Sequence, residues 1–135
     1  MSHYVADASA LLRYLDREPG FDRIAQLLKE AARSKNEVFV SAVNWGEVIS
    51  VIYKAHGLSV VRNMSSQIRA LPLTIVSVDA EQAETAAILK QDFRLPYADA
   101  FAGALALAKG ATLITADFDF KAAAHAMKIE FLASK

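Results

Sequence analysis

The sequence predicts an α/β fold with a mainly parallel sheet that carries helices on both faces. Short apolar segments alternate with helices or pairs of helices along the chain, as in parallel strands joined by right-handed crossovers. Hydrophobic residues make up 54% of the 135 residues, with only five Gly and three Pro, a composition typical of an ordered, helix-rich protein. No Pro-, Gly- or Ser-rich linker divides the chain, so residues 1–135 are expected to form one domain.

The strands are predicted where short apolar or β-branched segments end at a polar residue or a turn. The first approaches Asp7 through the apolar residues Tyr4, Val5 and Ala6. In chain order, the predicted strands are 3–7, 38–40, 73–78, 112–115 and 129–132.

The helices are predicted where apolar residues recur at helical spacing between capping residues and chain breakers. Ser9, Ser41 and Asp79 are expected to accept hydrogen bonds from the free amides of a first helical turn. Gly57 and Gly110 are expected to end helices. In chain order, the predicted helices are 10–16, 21–33, 42–55, 59–71, 80–93 and 97–109, followed by a loop and helix within 117–127.

Charge, cysteine content and hydropathy restrict the function classes. Fifteen Lys and Arg balance fifteen Asp and Glu, which is unlike a protein that binds nucleic acid through bulk positive charge. The absence of Cys excludes disulfides and thiolate metal sites and favours a cytoplasmic location. Because neither a signal peptide nor an apolar run of about 18 residues is present, the protein is expected to be soluble and not in a membrane.

Four acidic residues are expected at the carboxyl edge of the sheet, where ligands bind in open α/β folds. Asp7 ends the first strand, Glu47 lies in the opening turns after the second, Asp99 follows Pro96, and Asp117 follows the fourth strand. Each also has a structural explanation when it is taken alone. Asp7 and Asp117 could cap helices, Asp99 could be a favourable first-turn acid, and Glu47 could pair with Lys54.

Convergence of all four acids would indicate a divalent-metal site. Crowded carboxylates raise one another's pKa unless a cation lies between them. Oxygen ligands without Cys or a well-placed His favour Mg²⁺ or Mn²⁺ over Zn²⁺. The matching chemistry is phosphoryl transfer to water, and a bound ion would allow a polyanion to enter an acidic cleft.

Four segments carry a resemblance to a known family. They are Val5-Ala6-Asp7-Ala8-Ser9-Ala10-Leu11, Asn44-x-x-Glu47-Val48, Pro96-Tyr97-Ala98-Asp99-Ala100 and Leu113-Ile114-Thr115-Ala116-Asp117-Phe118-Asp119-Phe120. In this order and register they resemble the motifs of PIN-domain ribonucleases, and among these the VapC toxins of toxin–antitoxin pairs. The similarity covers essentially the whole chain.

The resemblance implies a PIN-like three-layer sandwich with strand order 3-2-1-4-5 and a Mg²⁺- or Mn²⁺-dependent endoribonuclease. It implies that Asp7, Glu47, Asp99 and Asp117 form the catalytic, metal-binding quartet. Four further residues match supporting positions: Ser9 and Thr115 as hydroxyls that orient the site or hold water, Asn44 one turn before Glu47, and Asp119 as a neighbour of, or replacement for, the fourth acid. The resemblance also implies an RNA substrate, a homodimer and a cognate antitoxin that often presents an Arg to the acids.

Two other functions remain open. The first is a phosphoryl-accepting receiver-like signalling domain, with Asp79, Thr115 and Lys135 in the active roles; this would leave Glu47 and Asp99 unexplained. The second is a PIN-like domain that binds a partner but is catalytically silent.

Overall fold

A five-stranded parallel sheet forms the centre of the protein, in a computed structural model that describes residues 1–134. All neighbouring strands pair in parallel, and their order is β3-β2-β1-β4-β5. The strands are β1 (Ser2–Ala6), β2 (Asn36–Ser41), β3 (Thr74–Val76), β4 (Thr112–Thr115) and β5 (Ile129–Phe131). The predicted fold class and strand order are therefore confirmed. Because β1 and β4 are neighbours, the residues that follow them share one edge of the sheet.

Six α-helices and one short 3₁₀ helix connect the strands. They are α1 (Ala8–Leu15), α2 (Phe21–Ala32), α3 (Ala42–His56), α4 (Leu58–Arg69), α5 (Ala80–Phe93), α6 (Tyr97–Lys109) and the 3₁₀ helix (Phe118–Ala123). Two predicted caps are present: the Ser41 hydroxyl accepts from the Val43 amide at 3.3 Å, and Asp79 accepts from the Gln82 amide at 2.8 Å. None of these helices is long and apolar enough to cross a membrane.

The first helix begins earlier than predicted, and its cap is Asp7. Asp7 has an extended backbone and its Oδ1 accepts from the Ala10 amide at 2.9 Å, which is the geometry of an N-cap. Ser9, predicted to be the cap, already lies inside the helix. That prediction was wrong because Asp7, two residues upstream, has the extended conformation that an N-cap requires.

The third strand is shorter than predicted. It ends at Val76, which pairs with Ser41, the last residue of β2. As the edge strand, β3 has only β2 to pair with, so its ladder stops where β2 turns into α3. The carbonyl of Ser77 instead accepts from the side-chain amide of Gln82.

Two apolar cores cover the two faces of the sheet. Consecutive strand residues alternate between them: Val5 and Leu113 belong to the core beneath α5 and α6, whereas Ala6 and Ile114 belong to the core beneath α1 to α4. All four side chains are almost completely buried, and a fully buried Val, Leu or Ile typically contributes roughly 1.5–3 kcal/mol. This packing fixes β1 against β4 and makes their carboxyl ends a rigid base for a site.

A tight turn at Gly20 brings the carboxyl-terminal segment against the start of α2. Gly20 has φ +96°, a conformation that L-residues with side chains rarely adopt. A Cβ atom at this position would lie 2.9 Å from the Cβ atom of Leu132, which is itself buried. Glycine therefore meets both a backbone and a packing requirement at the Pro19-Gly20 break.

Candidate active site

Asp7 is a buried carboxylate at the junction of β1 and α1. Only 2% of the residue is exposed, yet both of its oxygens are hydrogen-bonded. Oδ1 accepts from the Ser9 hydroxyl at 2.7 Å and from the Ala10 amide at 2.9 Å, and Oδ2 accepts from the Thr115 hydroxyl. Burial nevertheless outweighs these bonds and raises the pKa of Asp7 from 3.8 to about 6. The side chain is therefore held rigidly in a setting that disfavours its negative charge.

Two hydroxyl groups connect the end of β1 to the end of β4. Thr115 donates to Asp7 and accepts from the Asp117 amide at 2.9 Å. Ser9 donates to Asp7 and accepts from the Ala116 amide at 2.9 Å. Since the two hydroxyls lie 3.3 Å apart, they form one network that sets the position of Asp7 relative to the loop that carries Asp117.

Three carboxylates group closely in front of this network. One oxygen each from Asp99, Asp117 and Asp119 lies within 4.8 Å of the others. Asp99 is in the first turn of α6, and Asp117 caps the 3₁₀ helix by accepting from the Asp119 amide at 2.9 Å. The sequence left open whether Asp117 or Asp119 is the fourth acid of the site. In the structure, both of them lie close to Asp99.

The charge of Asp99 is disfavoured both by burial and by the neighbouring carboxylates. Burial, followed by the charge of Asp117 and a hydrogen bond with it, and then by the charges of Asp7 and Glu47, raises the pKa of Asp99 to about 7. Its Oδ2 atom is buried and has no hydrogen-bond partner. A divalent cation would satisfy this oxygen and relieve the repulsion, so the donor set fits Mg²⁺ or Mn²⁺.

Asn44 holds Glu47, the remaining predicted acid, in place. It is completely buried, and its side-chain nitrogen donates to Glu47 Oε1 at 2.9 Å and to the carbonyl of Ala98 at 3.0 Å. Because Ala98 directly precedes Asp99, Asn44 connects α3 to the start of α6. Within residues 1–134, Glu47 forms no ion pair with Lys54. The structural explanation offered for Glu47 from the sequence therefore does not apply.

The four predicted acids thus meet at one edge of the sheet, although not equally closely. Asp99 and Asp117 belong to the three-carboxylate group, whereas Asp7 and Glu47 act on Asp99 through their charge without belonging to it. Their roles as catalytic residues and metal ligands remain a prediction. Sequence reasoning missed one feature of this edge: the exposed ring of Phe118, between two of the acids, is stacked on Phe131.

Asp79 and Thr115, two of the residues required by a receiver domain, are not arranged for that role. Asp79 is an exposed helix cap that follows β3, the edge strand of the sheet. Thr115 donates to Asp7, and Lys135 lies outside the described residues. The arrangement instead uses Thr115 to position an acid that ends the central strand.

Comparisons of the sequence and of the fold both relate this chain to PIN domains and to VapBC structures. The sequence model of the PIN domain family matches residues 4–126. No curated protein matches the chain significantly.

Several solved structures are similar to this chain over most of their length. VapBC2 from Rickettsia felis, bound to a promoter DNA fragment, aligns with a TM-score of 0.77 and 16% identity over 97% of this chain and 99% of the other. A toxin–antitoxin complex from Klebsiella pneumoniae aligns with a TM-score of 0.59 and 25% identity over 87% and 89%. VapC20 from Mycobacterium tuberculosis, described as a sarcin-ricin loop cleaving toxin, aligns with a TM-score of 0.61 and 18% identity over 89% and 94%.

Proposed function

This chain belongs to the PIN domain family, and we propose that it is a divalent-metal-dependent endoribonuclease that acts as the toxin of a toxin–antitoxin pair. The observation that carries the proposal is the buried, partnerless Oδ2 atom of Asp99 among other carboxylates. A structural acid at this position would be expected to have a hydrogen-bond donor. A carboxylate whose charge is disfavoured by its own neighbours is suited to hold a cation.

The metal-holding residues in this proposal are Asp99, Asp117 and Asp119, with Asp7 and Glu47 completing the negative field. When bound, Mg²⁺ or Mn²⁺ would supply charge neutralisation of a phosphodiester and acidification of the attacking water. Hydrolysis joins the water oxygen to phosphorus and expels one of the two ester oxygens of the RNA backbone.

The surrounding side chains contribute mainly by orientation. Ser9 and Thr115 fix both oxygens of Asp7, and Asn44 fixes one oxygen of Glu47. These donors belong to rigid elements, so the acids need little reorganisation when a phosphate arrives. Asp117 and Asp119 are more exposed than Asp7, so they form the part of the site that faces the incoming strand.

The proposed partners follow from the relatives and from the charge of the site. The Klebsiella structure is a toxin–antitoxin complex, and VapC20 is described as a toxin that cleaves the sarcin-ricin loop. We therefore propose RNA as the substrate and a cognate antitoxin as the inhibitor, and, from the resemblance to the VapC toxins, a homodimer as the assembly. An antitoxin Arg would satisfy the same carboxylates by charge-assisted hydrogen bonds when no metal is bound.

Cleavage of total RNA by the purified chain tests the proposal. We expect fragments with Mg²⁺ or Mn²⁺, none in excess chelator, and at least a 100-fold loss of rate in Asp99→Asn. Asp79→Asn is the matched control, because Asp79 is an exposed cap and Asn caps equally well. Undiminished cleavage in chelator would contradict the metal mechanism. A folded wild-type chain that cleaves no RNA with either metal would instead support the catalytically silent binding domain.

A further inference from the structure

Phe118 is an exposed aromatic residue in the segment that carries two acids of the site. It lies between Asp117 and Asp119, both of which belong to the three-carboxylate group. Despite its apolar character, 48% of the residue is exposed. Phe120, two residues further on, is completely buried and anchors the 3₁₀ helix in the core. Since Phe120 already supplies that anchor, the packing of the loop does not explain an exposed ring at position 118.

The ring of Phe118 is held in a fixed orientation. It stacks on Phe131 at the end of β5, with 5.5 Å between ring centroids and 20° between ring planes. The β5 strand pairs with β4, so Phe131 lies at the same edge of the sheet as the acids. Offset stacking of this kind restricts the ring at little cost in side-chain entropy. A fixed, solvent-exposed aromatic surface is what single-stranded nucleic acid uses as a stacking platform.

A positive charge accompanies the ring. The ammonium group of Lys121 lies 4.8 Å from the centroid of Phe118. Lys121 is exposed and its side chain is flexible, so it can leave the ring and reach a phosphate. In a protein with no net charge, a cation against the Phe118 ring supplies a local attraction for the RNA backbone that the overall composition lacks.

We propose that Phe118 is a base-stacking residue, which takes an unpaired RNA base next to the phosphate at the acid cluster, while Lys121 contacts a neighbouring phosphate. This inference rests on the proposed ribonuclease function and deepens it. Phe118 is the chain neighbour of both Asp117 and Asp119, so in this proposal it lies next to the nucleotide whose phosphate these acids would hold. Stacking requires an unpaired base, so the substrate at this position is single-stranded or looped RNA. Because every base has an aromatic face, Phe118 selects for strandedness more than for sequence.

Binding of short labelled RNAs tests the assignment. The probes are 5′-labelled single-stranded 12-nucleotide RNAs of adenines or uridines and the same RNAs with abasic sites at their centre, measured by fluorescence anisotropy in Ca²⁺. We expect Phe118→Ala to weaken binding of the intact RNAs by about 5- to 140-fold and Phe118→Trp to retain it. On abasic RNA the wild type and Phe118→Ala should bind equally. Lys121→Ala should reduce the slope of log affinity against log salt by about 0.7.

Tyr53→Ala is the matched control, because Tyr53 is also an exposed aromatic residue but lies near the end of α3. Its affinity for RNA should equal that of the wild type. Equal loss in Phe118→Ala on intact and abasic RNA, or no loss on either, would overturn the stacking role while leaving the ribonuclease function standing. A change of oligomeric state in Phe118→Ala with unchanged RNA affinity would assign the ring to a protein interface instead. A wild-type protein that neither binds these RNAs nor cleaves total RNA would remove both proposals.

Discussion

Replacing Asp7 by Asn should stabilise the metal-free protein at neutral and alkaline pH. Burial raises the pKa of Asp7 from 3.8 to about 6, so its charged form is disfavoured in the native state. The difference of roughly two pH units corresponds to about 3 kcal/mol at 1.36 kcal/mol per unit. Asn carries no charge, but its side-chain nitrogen cannot accept the hydrogen bond that the Thr115 hydroxyl donates to Asp7. Loss of this bond lowers the free energy of unfolding by about 1 kcal/mol. We therefore expect a net gain of about 2 kcal/mol in the free energy of unfolding at pH 8.

The stability gain expected for Asp7→Asn depends on pH, and its direction follows from the raised pKa of Asp7. Native Asp7 binds its proton more tightly than the unfolded chain does, so its contribution to stability is greatest below about pH 4 and decreases as the pH rises to about 6. Above that range the full cost of the charge is present. Asp7→Asn removes the cost only where Asp7 is ionised, so the gain should disappear at pH 4.

Urea unfolding at pH 4 and pH 8 in chelator, at one fixed protein concentration, measures this difference. Asp79→Asn provides the control, since Asp79 is exposed and the variant should stay within about 0.5 kcal/mol of the wild type at both pH values. Adding Mg²⁺ should stabilise the wild type more than Asp7→Asn, because the ion compensates the carboxylate charges. An Asp7→Asn protein that is less stable than the wild type by the same amount at both pH values would refute the reasoning.

Two further substitutions test how the site and the turn before α2 are supported. Asn44→Ala removes the connection from α3 to Glu47 and to the start of α6, so we expect a loss of about 2 kcal/mol in urea unfolding and at least a tenfold slower RNA cleavage; a variant with wild-type cleavage would show that Glu47 needs no such support. Gly20→Ala combines an unfavourable φ with the approach to Leu132 and should cost about 2–5 kcal/mol by the same assay. Gly110 also has a positive φ, but no atom lies within 4 Å of a Cβ added there, so Gly110→Ala should lower the free energy of unfolding by only about 1–2 kcal/mol. An equal loss of stability in the two variants would show that the approach to Leu132 contributes nothing.

The outline of the fold and the gathering of the acids were accessible from the sequence for physical reasons. Apolar segments that end at Asp7 and before Asp117 mark parallel strands whose carboxyl ends lie together. The strand order came from the resemblance to PIN domains, because periodicity within one strand carries no information about its neighbours. The boundary at α1 was wrong since Asp7 and Ser9 are both good capping residues.

The remaining details depend on contacts between distant parts of the chain. Whether Asp117 or Asp119 approaches Asp99 depends on the 3₁₀ helix that follows β4, and this turn brings both of them. The burial of Asn44 depends on how α3 packs against α6. The stacking of Phe118 on Phe131 requires β5 to pair beside β4. Local pattern cannot supply these three facts.

The hydroxyl network between the ends of β1 and β4 has a consequence for biosynthesis. Three of its contacts join residues that are 106 to 108 positions apart in the sequence. A ribosome that has translated the first hundred residues has therefore made Asp7, Ser9, Glu47 and Asp99, but neither Thr115 nor the Ala116 amide, which are the partners of Asp7 and Ser9 at the end of β4. Nascent chains are thus unable to assemble the complete carboxylate set, and the proposed ribonuclease activity would arise only after almost the whole polypeptide has been synthesised.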